Sequence, residues 1–179
     1  NFTNAGVTGR TGPTQTQVNT AYAGGSLEGK VTVNAQGIQE WNAPATGIYR
    51  IEAWGARGGD STFASGGRGY KNSGHFALAG GELIKIAIGQ KGSDGGSVGG
   101  GGGGGTLVVK NNALLIASGG GGGAGSYQET TTNPDTQDGT DASPDMNGTD
   151  AKPQGPGQFF QKLGEGGNSG QGGTGGESH

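Results

Sequence analysis

Apolar residues fall in short runs along this chain, separated by turn residues and glycine. Residues 30–33 (KVTV), 37–41 (GIQEW), 47–54 (GIYRIEAW), 75–78 (HFAL), 83–88 (LIKIAI), 106–109 (TLVV) and 114–117 (LLIA) read as strands. In the third run Tyr49, Ile51 and Ala53 share one face, and Arg50, Glu52 and Trp54 share the other. In the fifth, Ile84, Ile86 and Ile88 face the core. Seven short strands at this spacing predict an antiparallel β-sandwich. A short helical turn is predicted before them, from Pro13 through residues 14–18 to Tyr22, because proline suits the first helical position. Phe2, Val18 and Tyr22 are the apolar anchors of this first stretch. No run supports a long helix, so the predicted class is all-β with almost no α-helix.

Composition changes this picture. Glycine supplies 46 of 179 residues and hydrophobic residues only 28%, so a large oily core is excluded. The glycines cluster at 55–59, 66–69, 99–105 and 119–123, and the last two runs flank a pair of strands. A flexible linker does not alternate with core strands in this way. Fixing one residue's backbone costs about 1–2 kcal/mol, with glycine at the upper end. Glycine has no side chain to offset that cost, so its N–H and C=O groups must be paired. An extended three-residue-per-turn helix leaves both groups pointing outward, free to pair with identical neighbours. The expectation is therefore a set of packed polyglycine-II helices inserted into the sandwich. Gly102 and Gly121 are expected structural positions, where an added methyl group is severe. In the tail Gly164, Gly167, Gly170, Gly173 and Gly176 recur at every third residue, which matches the same helix. Five triplets without proline are too few for collagen. The expected organisation is a β-sandwich with glycine-rich insertions over 1–118. Polyglycine helices follow over 119–179, interrupted by an acidic loop at 128–156.

Charge and candidate chemistry narrow the function. The net charge of −3 argues against nucleic acid as a partner. Arg57 and Arg68, although flanked by glycine, read as exposed arginines rather than a basic RNA-binding segment. The chain has no cysteine, hence no disulfide and no thiolate metal site. No apolar stretch is long enough to insert in a membrane. Six acids and no base lie between Glu129 and Asp150: Glu129, Asp135, Asp138, Asp141, Asp145 and Asp150. They read as an exposed binding loop. Asp135, Asp138 and Asp141 are weak calcium candidates, but Gln137 breaks the EF-hand spacing and a solvated acidic loop is the simpler reading. Asn1 and Asn147 begin glycosylation sequons. His75 lies in a strand, and no GxSxG surrounds any serine, so no catalytic residue is assigned. The glycine runs lack the GK[ST] of a phosphate loop and lead into strands rather than a helix, so no cofactor is assigned. Trp41 and Trp54 read as core or sheet packing, with Trp54 placed against the glycine segments.

Three stretches carry a family resemblance: FTNAGVTGRTGPTQTQVNTAY (2–22), GIQEWNAPATGIYRIEAWGARGG (37–59) and the GGGGGTLVV and LLIASGGGGG pair (101–123). In this order they resemble the extracellular glycine-rich domain of anaplastic lymphoma kinase and leukocyte tyrosine kinase receptors, also found in secreted bacterial surface proteins. The polyglycine part is similar to that of phage tail-tip adhesins. The resemblance implies a sandwich of the tumour necrosis factor type with packed polyglycine helices. In the receptors this region binds small cytokines, and in the phage tips the loops at the bundle's end contact the host. No ligand-contact motif transfers by residue. The receptor domains carry cysteines, near Ala5 and Val18 in this chain, where there are none. Family members also add further glycine helices and a closing strand, expected here either from a longer chain or from another subunit.

The expected function is a secreted, non-enzymatic binding or adhesion module that presents loops to a cell-surface protein or glycan. The competing reading is a structural subunit of an extracellular filament built by self-association.

Overall fold

The computed structural model describes residues 1–125 and 138–144. They form one short helix, α1 (Gln15–Tyr22), and seven strands: β1 (Val31–Ala35), β2 (Ile38–Asn42), β3 (Gly47–Trp54), β4 (Lys71–Leu78), β5 (Leu83–Ala87), β6 (Thr106–Lys110) and β7 (Ala113–Ser118). Five strands make an antiparallel sheet in the order β1-β2-β5-β6-β7, and β3 pairs with β4 in a second, two-stranded sheet. The expected strands are all present. β4 starts earlier than its apolar run, because residues 71–74 pair with residues 51–54 of β3. Their polar side chains carry no strand signal in sequence.

Local chemistry fixes the elements. Thr14 caps α1: its side chain accepts the Gln17 N–H, and the Gln17 amide oxygen accepts the Thr14 N–H at 2.8 Å. The β6–β7 turn places Asn111 and Asn112 at φ 49° and 62°, left-handed values that asparagine tolerates in a tight hairpin.

The two sheets share one core. Ala53 and Leu78 from β3 and β4 meet Ile84, Ile86, Val108 and Ile116 from the larger sheet. Trp41 packs edge-on against Phe2 and Tyr49, with ring centroids 5.9 and 6.1 Å apart. A second cluster seats Val18 and Tyr22 of α1 on Val31. Buried Gln39 joins the two clusters: its amide oxygen accepts the Tyr22 hydroxyl at 2.5 Å and its amide nitrogen donates to the Thr3 carbonyl at 2.7 Å.

One expectation is corrected. Trp54 does not pack on the glycine segments. It is 54% exposed on the outer face of β3, with the Lys71 ammonium 4.9 Å from its ring centroid. Strand alternation turns it outward with Arg50 and Glu52, and Lys71 across the ladder covers it.

Candidate functional site

The strands do not end at the sheet edges. β3 runs on into segment 55–59, β5 into 89–95 and β7 into 119–124, while segments 66–70 and 99–105 lead into β4 and β6. These glycine-rich segments, with 139–142, lie side by side and bond chiefly through their backbones.

The bonds repeat every three residues. The N–H groups of Gly55 and Gly58 donate to the Tyr70 and Gly67 carbonyls, and those of Ala56 and Gly59 donate to Gly104 and Gly101. Gly121 and Ala124 in turn donate to Ala56 and Gly59, while Gly92 and Gly95 donate to Arg57 and Asp60. Segment 55–59 is thus surrounded by four others. Neighbours also bond to each other: 101 and 104 to 93 and 90, 100 and 103 to 124 and 121, 67 and 70 to 122 and 119. Each segment and two of its neighbours form a closed triangle of mutual bonds.

Such an approach leaves no room for a side chain. A Cβ on Gly121 would stand 2.1 Å from the Gly67 carbonyl oxygen. Gly55, Gly58, Gly103 and Gly120 face backbone atoms as closely. Gly102 differs: the nearest atom to its Cβ would be the Gly121 oxygen at 3.9 Å. The expectation that Gly102 is as intolerant as Gly121 is therefore corrected, because its Cα points outward from the array.

Hydroxyl groups tie the two sheets together where the array begins. Buried Thr106 and Ser118, the strand residues adjoining the glycine runs, donate to the Trp54 and Ala53 carbonyls at 2.6 and 2.8 Å.

At the far end, away from the sheets, two excursions of the chain meet. Residues 60–65 and 93–98 are joined by a bridge between Ser61 and Gly96. Ala124 is bonded to Gly59 and Gly100 at this end, and Asp138 stands beside Ser65. There the Ser65 N–H donates to the Asp138 carboxylate at 2.7 Å. Phe63 and Val98 are 49% and 63% exposed at this tip. Residues 60–65 and Asp138 line an open hollow of about 420 Å3.

An ionic cluster holds the tip. Lys91 reaches the carboxylates of Asp60 at 3.1 Å and Asp94 at 2.6 Å, and Arg57 reaches Asp60 at 3.0 Å. Asp60 also accepts the Gly66 N–H at 2.9 Å, and the Asp60 N–H donates to Asp94 at 2.8 Å. The Asp60 carboxyl is held below the ordinary carboxylate range, first by the Gly66 N–H and then by Lys91. Asp94 is lowered chiefly by Lys91, and Lys91 is raised by its bonds to Asp94 and Asp60. Sequence reasoning passed over this cluster. Its available signals were the pairs Arg57 with Asp60 and Lys91 with Asp94, each three residues apart in a glycine-rich stretch.

Of the sequence-predicted residues, Asp138 and Asp141 are brought to neighbouring glycine segments. Asp141 accepts the Arg68 N–H at 2.6 Å, as Asp138 accepts that of Ser65. Segment 139–142 is bonded to Ser65, Arg68 and Gly122. The reading of 128–156 as one exposed loop is corrected there, since those residues extend the array. As for calcium, both carboxylates are engaged by backbone N–H groups, and among the described residues no three His, Asp or Glu side chains form a metal-binding group. Glu129, Asp135, Asp145, Asp150, Asn147, Gly164, Gly167, Gly170, Gly173 and Gly176 lie outside the described residues. Asn1 is exposed, and His75 is exposed on β4 opposite Arg50.

Fold and site together define a β-rich domain whose strands run on into an array of backbone-bonded glycine segments. Over 99 residues, 52% of its length, the chain is 43% identical to the leukocyte tyrosine kinase receptor of Mus musculus. The chain spans about 11% of that receptor's length. No family model matches the chain. Among the described residues no helix is long and apolar enough to cross a membrane.

Proposed function

We propose that this chain is a secreted, non-enzymatic binding or adhesion module. A sandwich of the tumour necrosis factor type carries packed polyglycine-II helices, and these hold the recognition loops out at one end. The observation that carries the reading is the meeting of the excursions 60–65 and 93–98 at the tip of an array whose segments are locked by bonds every three residues. A rigid scaffold that ends in clustered loops is the usual arrangement for recognition. The exposed Phe63 and Val98 supply apolar contact area, and acidic Glu129 and Asp135 are the charged part of the recognition surface in this reading. The partner is a cell-surface protein or glycan, and the compartment is extracellular, as the partial similarity to a receptor suggests. Neither cofactor nor metal takes part in this reading.

The test is binding of the fluorescent full chain to intact cells and to a glycan array. Three forms are compared: the unaltered chain, the double variant Phe63→Ser/Val98→Ser, and a chain lacking 128–136. Loss of binding with an unchanged melting temperature is the expected result. Undiminished binding by both variants overturns the tip assignment. The deletion stops short of Asp138, because removing 138–142 would also remove bonds of the array. A second reading, a self-associating filament subunit, draws on the free edge of β3, which pairs with β4 on one side only among the described residues.

A further inference from the structure

The small sheet turns one face to the core and the other outward. On the outward face Trp54 stands opposite Lys71, Glu52 opposite Ser73 and Arg50 opposite His75. All of these but Glu52 are exposed, and Ile48, at the end of the row, is 70% exposed. In a chain with only 28% hydrophobic residues, two of the larger ones are left outside the core on this one face. Glu52 is the one acid of the row, and two cations share it. Arg50 pairs with it, and the Lys71 ammonium lies 3.5 Å from its carboxylate. One carboxylate between two cations leaves a positive excess here, on a chain whose net charge is −3.

The dimensions of the face limit what it takes. Two neighbouring strands, each with four outward residues, make a flat strip of roughly 10 by 20 Å. That area, about 200 Å2, is a quarter of the roughly 800 Å2 that each partner brings to a standard protein interface. The strip therefore suits a chain molecule lying along it rather than a folded partner. An extended peptide joins a sheet through its edge, where backbone groups are free, and not across its face. A polymer that fits the face carries anionic groups and flat apolar surfaces together. A pyranose ring offers its C–H groups to the face of an indole, and carboxylate or sulfate substituents reach the cations beside it. Here the two requirements meet at one point, because the Lys71 ammonium lies 4.9 Å from the centroid of the Trp54 ring.

We infer that the outer face of β3 and β4 is a binding strip for an anionic polysaccharide, with Trp54 stacking on a sugar ring and Arg50 and Lys71 holding its carboxylate or sulfate groups. The strip lies on the sheets and not at the tip, so the inference is independent of the tip-binding reading.

The test is titration of the full chain with four polymers: hyaluronan oligosaccharides (carboxylate only), heparin oligosaccharides (sulfate and carboxylate), neutral dextran and polyglutamate. Binding to hyaluronan, heparin or both is expected, weakening as salt is added. Which of the two binds tells carboxylate from sulfate recognition. Trp54→Ser and, separately, Arg50→Gln/Lys71→Gln are each expected to weaken that binding at least tenfold while far-UV circular dichroism is retained. Binding to neither anionic polysaccharide overturns the inference, as does equally tight binding to dextran or to polyglutamate. Undiminished binding by Trp54→Ser also overturns it, since charge alone would then account for the contact. Should a variant fail to fold, amide chemical shifts of the unaltered chain decide. Perturbation of residues 48–54 and 71–77 by the polysaccharide is expected, and perturbation confined to the tip overturns the inference.

Discussion

The sheets and the glycine array are two halves of one chain, packed by opposite rules. Around Ile84 and Ile116, side chains fill the space between backbones and hold it apart. Around Gly58 and Gly121 nothing stands between backbones, and carbonyl oxygens occupy the places where side chains would begin. The first half is weakened by removing atoms and the second by adding them. A hydrophobicity profile detects only the first kind of packing, and the second is stabilised by groups that every residue possesses.

The contrast is broken most severely at a central glycine. Gly58→Ala drives a methyl group into the Gly122 carbonyl, where both sides are backbone and cannot give. The expected loss is about 3 kcal/mol or more, seen as a collapse of the melting temperature. A neutral result would mean that these segments are loops. On the other side of the comparison, Ile84→Ala opens a cavity in the side-chain core and is expected to cost about 2–5 kcal/mol in chemical denaturation. Next is the junction of the two core clusters. Tyr22→Phe removes the hydroxyl that donates to buried Gln39 and is expected to cost about 1–3 kcal/mol. A smaller and local effect is expected from pH. Asp60 and Asp94 have folded-state pKa values below their unfolded values, so they stabilise the tip above the ordinary carboxylate range. That contribution is lost as pH falls through the lowered values, below about 4. Lys91 is raised by those same carboxylates, so its share is present while they are ionised and disappears at the alkaline side only above about 10.5. Exchange of the Gly66 and Asp60 amides is expected to be constant from about pH 5 to 9, after correction for intrinsic rate, and to quicken in acid. The smallest effect sharpens the rule. Gly102→Ala meets only open space and ordinary contact, so stability in thermal melts is expected to stay within about 0.5 kcal/mol of the unaltered chain. A severe loss at Gly102 would show that the array continues on that side.

The sequence made the side-chain half readable and left the backbone half blurred. Alternation of Ile84 and Ile86, or of Ile51 and Ala53, gives the strand and its buried face together. The first four residues of β4 were hidden because partners in β3, not their own side chains, make them a strand. Within the glycine runs, Gly102 and Gly121 look identical, since what separates them is the atom opposite, 3.9 Å away in one case and overlapping in the other. Asp138 and Asp141 read as free acids for a similar reason: the N–H groups they accept belong to residues 73 positions earlier. The tip cluster of Arg57, Asp60, Lys91 and Asp94 spans separate segments, and only its short-range pairs, Arg57 with Asp60 and Lys91 with Asp94, are visible along the chain.

The direct passage of strands into glycine segments, at Trp54 to Gly55 and Ser118 to Gly119, has a mechanical consequence. A pull on the tip, with the sheets held, runs straight along each segment without a hinge. The bonds between segments lie across that line and are loaded in shear, many at once, rather than peeled open singly. For a tether exposed to flow, resistance to tension would then rise with the length of the glycine runs, a quantity that can change three residues at a time without altering either the sheets or the tip.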